Sequence, residues 1–233
     1  MVKGKKITKK QIKKPDEFIS LTTQAIEFAT RHLKKIAFGG AALLVVVLAI
    51  IGFEMWKEKK ERDASQRLQG ALALYQTADA ASREGSTADY KGLLENFEQI
   101  ARDFRRTSSG KLSLLYQGNI HLKLGDFDAA IKAYEAFLAG MGGEKLYALL
   151  ALDGLGYAYE GKKDYEKAID NYRRIIAMGE SFESGEAYRR LGNCYEKLGK
   201  TEEAIENYRA FLKQEPKSLL SNVILRKVSL LEK

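Results

Sequence analysis

Charged side chains are spread along the whole chain with one interruption. Residues 36–53 (IAFGGAALLVVVLAIIGF) carry none, although 30% of all residues are charged. The stretch is apolar all round, whereas a helix packed on a protein core keeps a polar face. At ~1.5 Å rise per residue a helix of this length spans about 27 Å, close to the ~30 Å of a bilayer's hydrocarbon layer. The apolar region of a cleaved signal is shorter, lies nearer the N-terminus and ends in a small-residue cleavage site. This one begins at residue 36 and leaves through Phe53-Glu54-Met55-Trp56, with the Trp56 indole at headgroup level. Residues 36–56 therefore read as a permanent membrane anchor.

The flanking patterns are helical. Phe18, Leu21, Ala25, Ile26, Ala29 and Leu33 recur at helical spacing and predict an amphipathic helix from about Pro15, lying along the membrane face; docking to a membrane partner is the alternative use of such a helix. Ala37 and Ala41 form a small-xxx-small pair inside the anchor, a pattern frequent by chance that gives dimerisation little support. After the anchor, residues 62–82 and 88–106 read as two amphipathic helices around Gly85-Ser86-Thr87.

The remaining chain is periodic. GNIHLKLGDFDAAIKAY (118–134), GYAYEGKKDYEKAIDNY (156–172) and GNCYEKLGKTEEAIENY (192–208) align without gaps. Each carries a glycine (Gly118, Gly156, Gly192), an alanine twelve residues on (Ala130, Ala168, Ala204), then Ile131, Ile169, Ile205 and Tyr134, Tyr172, Tyr208. The units are 38 and 36 residues apart. They resemble the tetratricopeptide repeat, a helix–turn–helix unit of ~34 residues. A glycine on the first helix facing an alanine on the second lets the backbones approach, and the tyrosine fills space against the next unit. No unit buries its apolar stripe alone, so the units must stack. Phe137, Ile175 and Phe211 stand where the family prefers a small residue, and AGMGGEK (139–145) lengthens the first connection.

The expected architecture is all-α: a single N-terminal transmembrane helix followed by a tetratricopeptide-like α-α repeat solenoid. Residues 1–35 form a basic cytoplasmic tail with the juxtamembrane helix, and residues 36–56 the anchor. Residues 57–233 hold a degenerate repeat (62–106), repeats at about 111–144, 149–182 and 185–216, and a capping helix (217–233) starting after Pro216.

Charge sharpens this picture. The formal net charge is +8, yet residues 1–35 hold ten Lys and Arg against three Asp and Glu, so the repeats are close to neutral. A folded nucleic-acid surface is thereby excluded. The Lys-rich flank stays cytoplasmic, which places the repeats in the periplasm of a bacterial inner membrane. The tail itself reads as an unstructured topology signal near anionic lipid. The one cysteine, Cys194, permits no intramolecular disulfide, and with none directly after the apolar stretch lipoprotein processing is excluded.

Catalytic chemistry is missing from the pattern. His32 and His121 fall on opposite sides of the membrane in this topology, so no metal cluster or nucleophilic triad forms around either. His121 takes the packing position of Tyr159 and Tyr195. Cys194 reads as an inert buried thiol, and GLGYAYEG (154–161) lies inside a helix rather than in a phosphate loop. No enzyme and no cofactor are expected; the partners are proteins or peptides.

In such stacks the first helices line a groove. The groove positions are Leu112, Leu115, Asn119 and Leu122, then Leu150, Asp153, Tyr157 and Glu160, then Glu186, Arg189, Asn193 and Glu196. Ordinary solvated or inter-repeat surface is the plainer reading of each. The repeat family includes a class that clamps acidic chaperone tails with Asn and basic residues; Asn119 and Asn193 match, but Glu186 occupies a basic position.

The layout as a whole, with Gly52-Phe53-x-x-Trp56 at the anchor exit, DASQ (63–66) and LYQTADAAS (74–82), resembles the YfgM-type ancillary subunit of the bacterial SecYEG translocon. The resemblance runs along most of the chain and departs from that family in the strongly basic tail and the more regular repeats. It implies a periplasmic domain beside the translocon that contacts emerging proteins or passes them to chaperones. An envelope-biogenesis scaffold, serving cell division or outer-membrane assembly, is the alternative on the same fold.

Overall fold

The computed structural model describes residues 14–83, 89–141, 144–179 and 182–233. The expected unstructured tail, the turn at residues 85–87 and part of the 139–145 connection lie outside the described residues. Within them every element is a helix: α1 (Lys14–Arg31), α2 (Leu33–Arg83), α3 (Tyr90–Asp103), α4 (Ser108–Leu124), α5 (Phe127–Met141), α6 (Lys145–Gly161), α7 (Tyr165–Ala177), α8 (Phe182–Lys197), α9 (Thr201–Gln214) and α10 (Ser221–Leu231). The chain divides into two units, residues 1–58 and 59–233.

The first unit contains α1 and the apolar part of α2. The α1 helix starts one residue before Pro15, whose missing N–H costs nothing in a first turn. The Thr30 hydroxyl donates back to the Ile26 carbonyl (2.9 Å), and the Phe28 ring meets His32 edge-on at 4.7 Å. From residue 33 to 58 every side chain of α2 is exposed. Among the described residues α2 is the one helix long and apolar enough to cross a membrane, and none of its apolar window is buried in the protein.

The second unit is a stack of helix pairs. From residue 59 on, α2 becomes amphipathic and buries Ala64, Leu68 and Ala71 against Leu93, Phe97 and Ile100 of α3, with Phe104 and Ile120. The Glu61 carboxylate accepts from the Ser108 and Ser109 amides at 2.8 and 3.0 Å. An α2 side chain thus satisfies the N-terminal donors of α4, where negative charge is favoured by the helix dipole. Thr107 caps the same helix through the Gly110 amide.

Beyond α3 each helix packs on the next in sequence, and α4 also touches α6, as α6 touches α8. One continuous core runs through these pairs, with Ala130, Ala168 and Ala204, Tyr134, Tyr172 and Tyr208, and Phe137, Ile175 and Phe211 all buried. The glycine–alanine pairing expected from the sequence needs correction. A β-carbon at Gly118, Gly156 or Gly192 would lie 2.6, 2.4 or 2.4 Å from the ring of Tyr134, Tyr172 or Tyr208. The glycine makes room for the tyrosine of its own repeat. Beyond it, Tyr134 lies against Gly154 of the next unit, the Tyr172 ring lies under Arg190 at 5.9 Å and the Tyr208 oxygen accepts from Lys227 of α10.

The turns inside each pair repeat as well. Asp126, Asp164 and Lys200 donate from the backbone to the carbonyls of His121, Tyr159 and Tyr195, each at 2.9 Å. The residue before each adopts the left-handed conformation: Gly125 (φ 76°), Lys163 (φ 61°) and Gly199 (φ 71°). This is the hydrogen-bonded helix ending that favours glycine; the middle repeat forms it with lysine. At the far end α10 buries Ser221, Ile224 and Val228 on the stack and leaves Val223, Leu225 and Leu230 exposed.

Candidate partner-binding face

The first helices of the pairs, α4, α6 and α8, touch one another, while α5, α7 and α9 make no comparable mutual contacts. The stack therefore closes up on the first-helix side, and that side is its inner face. The inner stripe of α6 is open: Leu150 and Tyr157 are 43% and 49% exposed. Leu146, one turn before Leu150 and absent from the sequence-based set, is exposed as well. On α4, Leu112 and Leu122 are half-buried against the core. Leu115 is a correction to the expected set: it is 3% exposed, because it packs into the continuous core of the stacked helices rather than facing solvent.

Four polar members of the set, Asn119, Glu160, Asn193 and Glu196, are each met by the hydroxyl of a buried tyrosine. The Tyr134 hydroxyl donates to Asn119 Oδ1 at 2.6 Å, and that of Tyr172 to Glu160 Oε1 at 2.5 Å. The Tyr208 hydroxyl donates to Glu196 Oε2 at 2.6 Å and lies 2.8 Å from Asn193 Oδ1. Burial drives these phenols well above the usual tyrosine range, with the neighbouring carboxylates adding to the effect at Tyr172 and Tyr208. They stay protonated and act as donors.

Two cations complete the network, and the sequence-based set contains neither. Arg190 Nε lies 3.3 Å from Asp153 Oδ1 and its Nη1 3.6 Å from Glu160 Oε1, with the guanidinium 4.9 Å above the centre of the Tyr157 ring. Burial opposes its charge, but Tyr172, Asp153, Glu160 and Glu186 outweigh that and hold it protonated. Lys227 of α10 donates to Glu196 Oε2 (2.8 Å), Asn193 Oδ1 (3.1 Å) and the Tyr208 oxygen (3.1 Å). Burial works against ionised Glu196, yet bonds from Lys227 and Tyr208 prevail and keep its carboxyl below the ordinary value. Arg189, from the expected set, pairs with Glu186 at 2.7 Å on the same helix. Arg190 was hidden because its aligned positions are Tyr116 and Gly154, and Lys227 because only stacking brings α10 to α8.

The outer face carries two shallow recesses related by the repeat, of about 360 and 290 Å³. Their walls include Tyr159 and Tyr195, under Lys167 at 5.3 Å and Arg173 at 6.0 Å respectively. His121 holds the equivalent place one repeat earlier, 15% exposed at its side chain and 3.8 Å from Asp126. Cys194 is 1% exposed, and burial pushes its thiol up to about 12. Among the described residues no group of His, Cys, Asp and Glu could hold a metal ion.

Comparison with known proteins follows the geometry. The crystal structure of MamA superposes with a TM-score of 0.53 at 21% identity, covering 66% of this chain and 81% of that one. A tetratricopeptide repeat protein from Parabacteroides merdae gives 0.53 at 20% identity, over 69% of this chain and 60% of its own. MamA from Desulfovibrio magneticus gives 0.50 at 20% identity, over 64% and 77%. Identities this low speak for the fold alone. Among curated proteins none matches the sequence. The model of the tetratricopeptide repeat-like domain family matches residues 35–233, and the chain belongs to that family.

Proposed function

We propose that the protein is a membrane-anchored protein-interaction scaffold: an ancillary subunit of a bacterial translocon that holds its repeats in the periplasm to contact exported proteins or chaperones. The observation that carries this reading is α2, a helix long and apolar enough to cross a membrane and unburied over its whole apolar window, on the same chain as repeats of a protein-binding family. An exposed apolar surface of that extent is tolerated only where lipid or another protein covers it. The family model starts at residue 35, immediately before the apolar stretch, so the stretch counts as part of the shared domain. Ten basic residues precede it, which favours a cytoplasmic N-terminus. The repeats supply an inner face with prearranged polar groups, the outfit of a binding surface.

Site-specific crosslinking in cells tests it. A photoreactive residue at Tyr157 or Leu122 is expected to capture a translocon component or an exported chain in transit. Capture of division or wall-synthesis proteins without translocon components would instead support the envelope-biogenesis scaffold. Reporter fusions after residues 35 and 233 test the topology, the second expected to be active only in the periplasm.

A further inference from the structure

We propose that the inner face of the repeats takes a cationic, apolar segment of a partner protein, one in which large apolar side chains alternate with Lys or Arg. The proposal rests on the scaffold reading and gives its partner a chemistry. The first support is the α6 stripe. Leu146, Leu150 and Tyr157 are 60%, 43% and 49% exposed and lie at spacings of four and seven, on one line of the helix surface. Such a line offers anchoring sites for apolar side chains of a bound segment.

Charge selects the occupant. The cations beside this stripe are bound from within: Arg190 by Asp153 and Glu160, Arg189 by Glu186, Lys227 by Glu196. Arg189 and Arg190 are each 19% exposed at their side chains, less than the carboxylates that hold them, Asp153 at 42%, Glu186 at 25% and Glu160 at 24%, while Lys227 and Glu196 are equally exposed at 37%. Around Arg189 and Arg190 a segment arriving from solvent therefore meets carboxylate oxygens before guanidinium groups. An incoming carboxylate would have to displace an internal one from its cation. An incoming Lys or Arg only adds a second donor to an oxygen that has lone pairs to spare.

The acceptors are also preorganised. Tyr172 pins Glu160 and Tyr208 pins Glu196 through buried hydroxyls, so little side-chain freedom is lost when a cation docks. The same arrangement makes an acidic tail a poor occupant, in keeping with Glu186 at a position that acid-binding repeats fill with a basic residue.

The test uses the full chain in neutral-lipid nanodiscs, with empty discs as the blank. Two fluorescein-labelled twelve-residue peptides serve as probes, one alternating Leu and Lys and one alternating Leu and Glu. The Lys peptide is expected to bind about tenfold or more tighter. Leu150→Ser with Tyr157→Ser weakens it about tenfold, Tyr157→Phe with Leu150 intact preserves it, and the outer-face pair Glu203→Gln with Glu206→Gln leaves it unchanged. Circular dichroism melts confirm that each variant is folded. Equal or tighter binding of the Glu peptide overturns the proposal. So does indifference to the α6 variants, or their relieving self-association of the chain, which would make the face a contact between copies. Crosslinking from Tyr157 separates this failure from that of the scaffold reading: capture of translocon components without any peptide charge preference sinks the present proposal alone.

Discussion

Tyr134 lays its ring on Gly154 of the following helix pair: a β-carbon at residue 154 would stand 2.3 Å from Tyr134 Cζ, and one at Gly118 would stand 2.6 Å from Cε1. The ring is fully buried and tied to Asn119 through its hydroxyl, so it has no room to retreat. Gly118→Ala and Gly154→Ala are each expected to destabilise the protein by about 1–3 kcal/mol through overpacking. Because both act on one ring, their effects will not add. The double variant combined with Tyr134→Leu should recover part of the loss, measured as denaturant midpoints.

Tyr208 links α8, α9 and α10 through Glu196, Asn193 and Lys227. Tyr208→Phe removes a buried donor and is expected to cost about 1 kcal/mol or somewhat more, since its acceptor is charged. The Glu196 carboxyl lies below its ordinary value of 4.5, so its ionised form is favoured by folding. That contribution is present above pH 4.5 and is lost as pH falls through the lower folded value. Melting temperatures of Glu196→Gln and the unaltered chain should therefore differ at pH 7 and converge in acid below 4.5.

The repeat positions were legible because stacking makes the same demand of each unit. Glycine, alanine and tyrosine recur at Gly118, Ala130 and Tyr134 and their counterparts because a ring must fit between two helices. What the glycine accommodates was not legible, since spacing in sequence does not say which side chain leans over a bare backbone. Arg190 was missed because neighbours on a helix are turned by ~100°, so the groove stripe drawn through Arg189 passed it by. Lys227 entered the face only through the packing of α10. Leu115 keeps the groove spacing in the sequence, yet stacking of the helices takes it into the core.

Lys163 illustrates a conformation that composition conceals. It is the single non-glycine residue with positive φ among the described residues, in a turn whose sister positions are Gly125 and Gly199. A side chain in the left-handed region costs ~1 kcal/mol or more, while glycine adds entropy to the unfolded chain. Lys163→Gly is expected to stabilise the protein by about 0.5–1 kcal/mol, raising the melting temperature without altering peptide binding at the inner face. Lys163→Val, β-branched, should shift it the other way.

Cys194 follows from burial alone. The thiol is 1% exposed and pushed up to about 12, so at pH 8 almost none of it is the nucleophilic thiolate. Its carrier helix α8 packs on both α7 and α9, which leaves a reagent no path short of local opening. Aromatic disulfide reagents should therefore label the native chain only through its small open fraction, at a rate proportional to reagent concentration and to that fraction, and label it far faster in denaturant. Gly192→Ala crowds Tyr208 at 2.4 Å on the same helix. It is expected to speed native labelling about tenfold for each 1.4 kcal/mol by which it eases the opening of α8. Rapid labelling of the native chain at neutral pH would show that α8 is not held as tightly as its packing indicates.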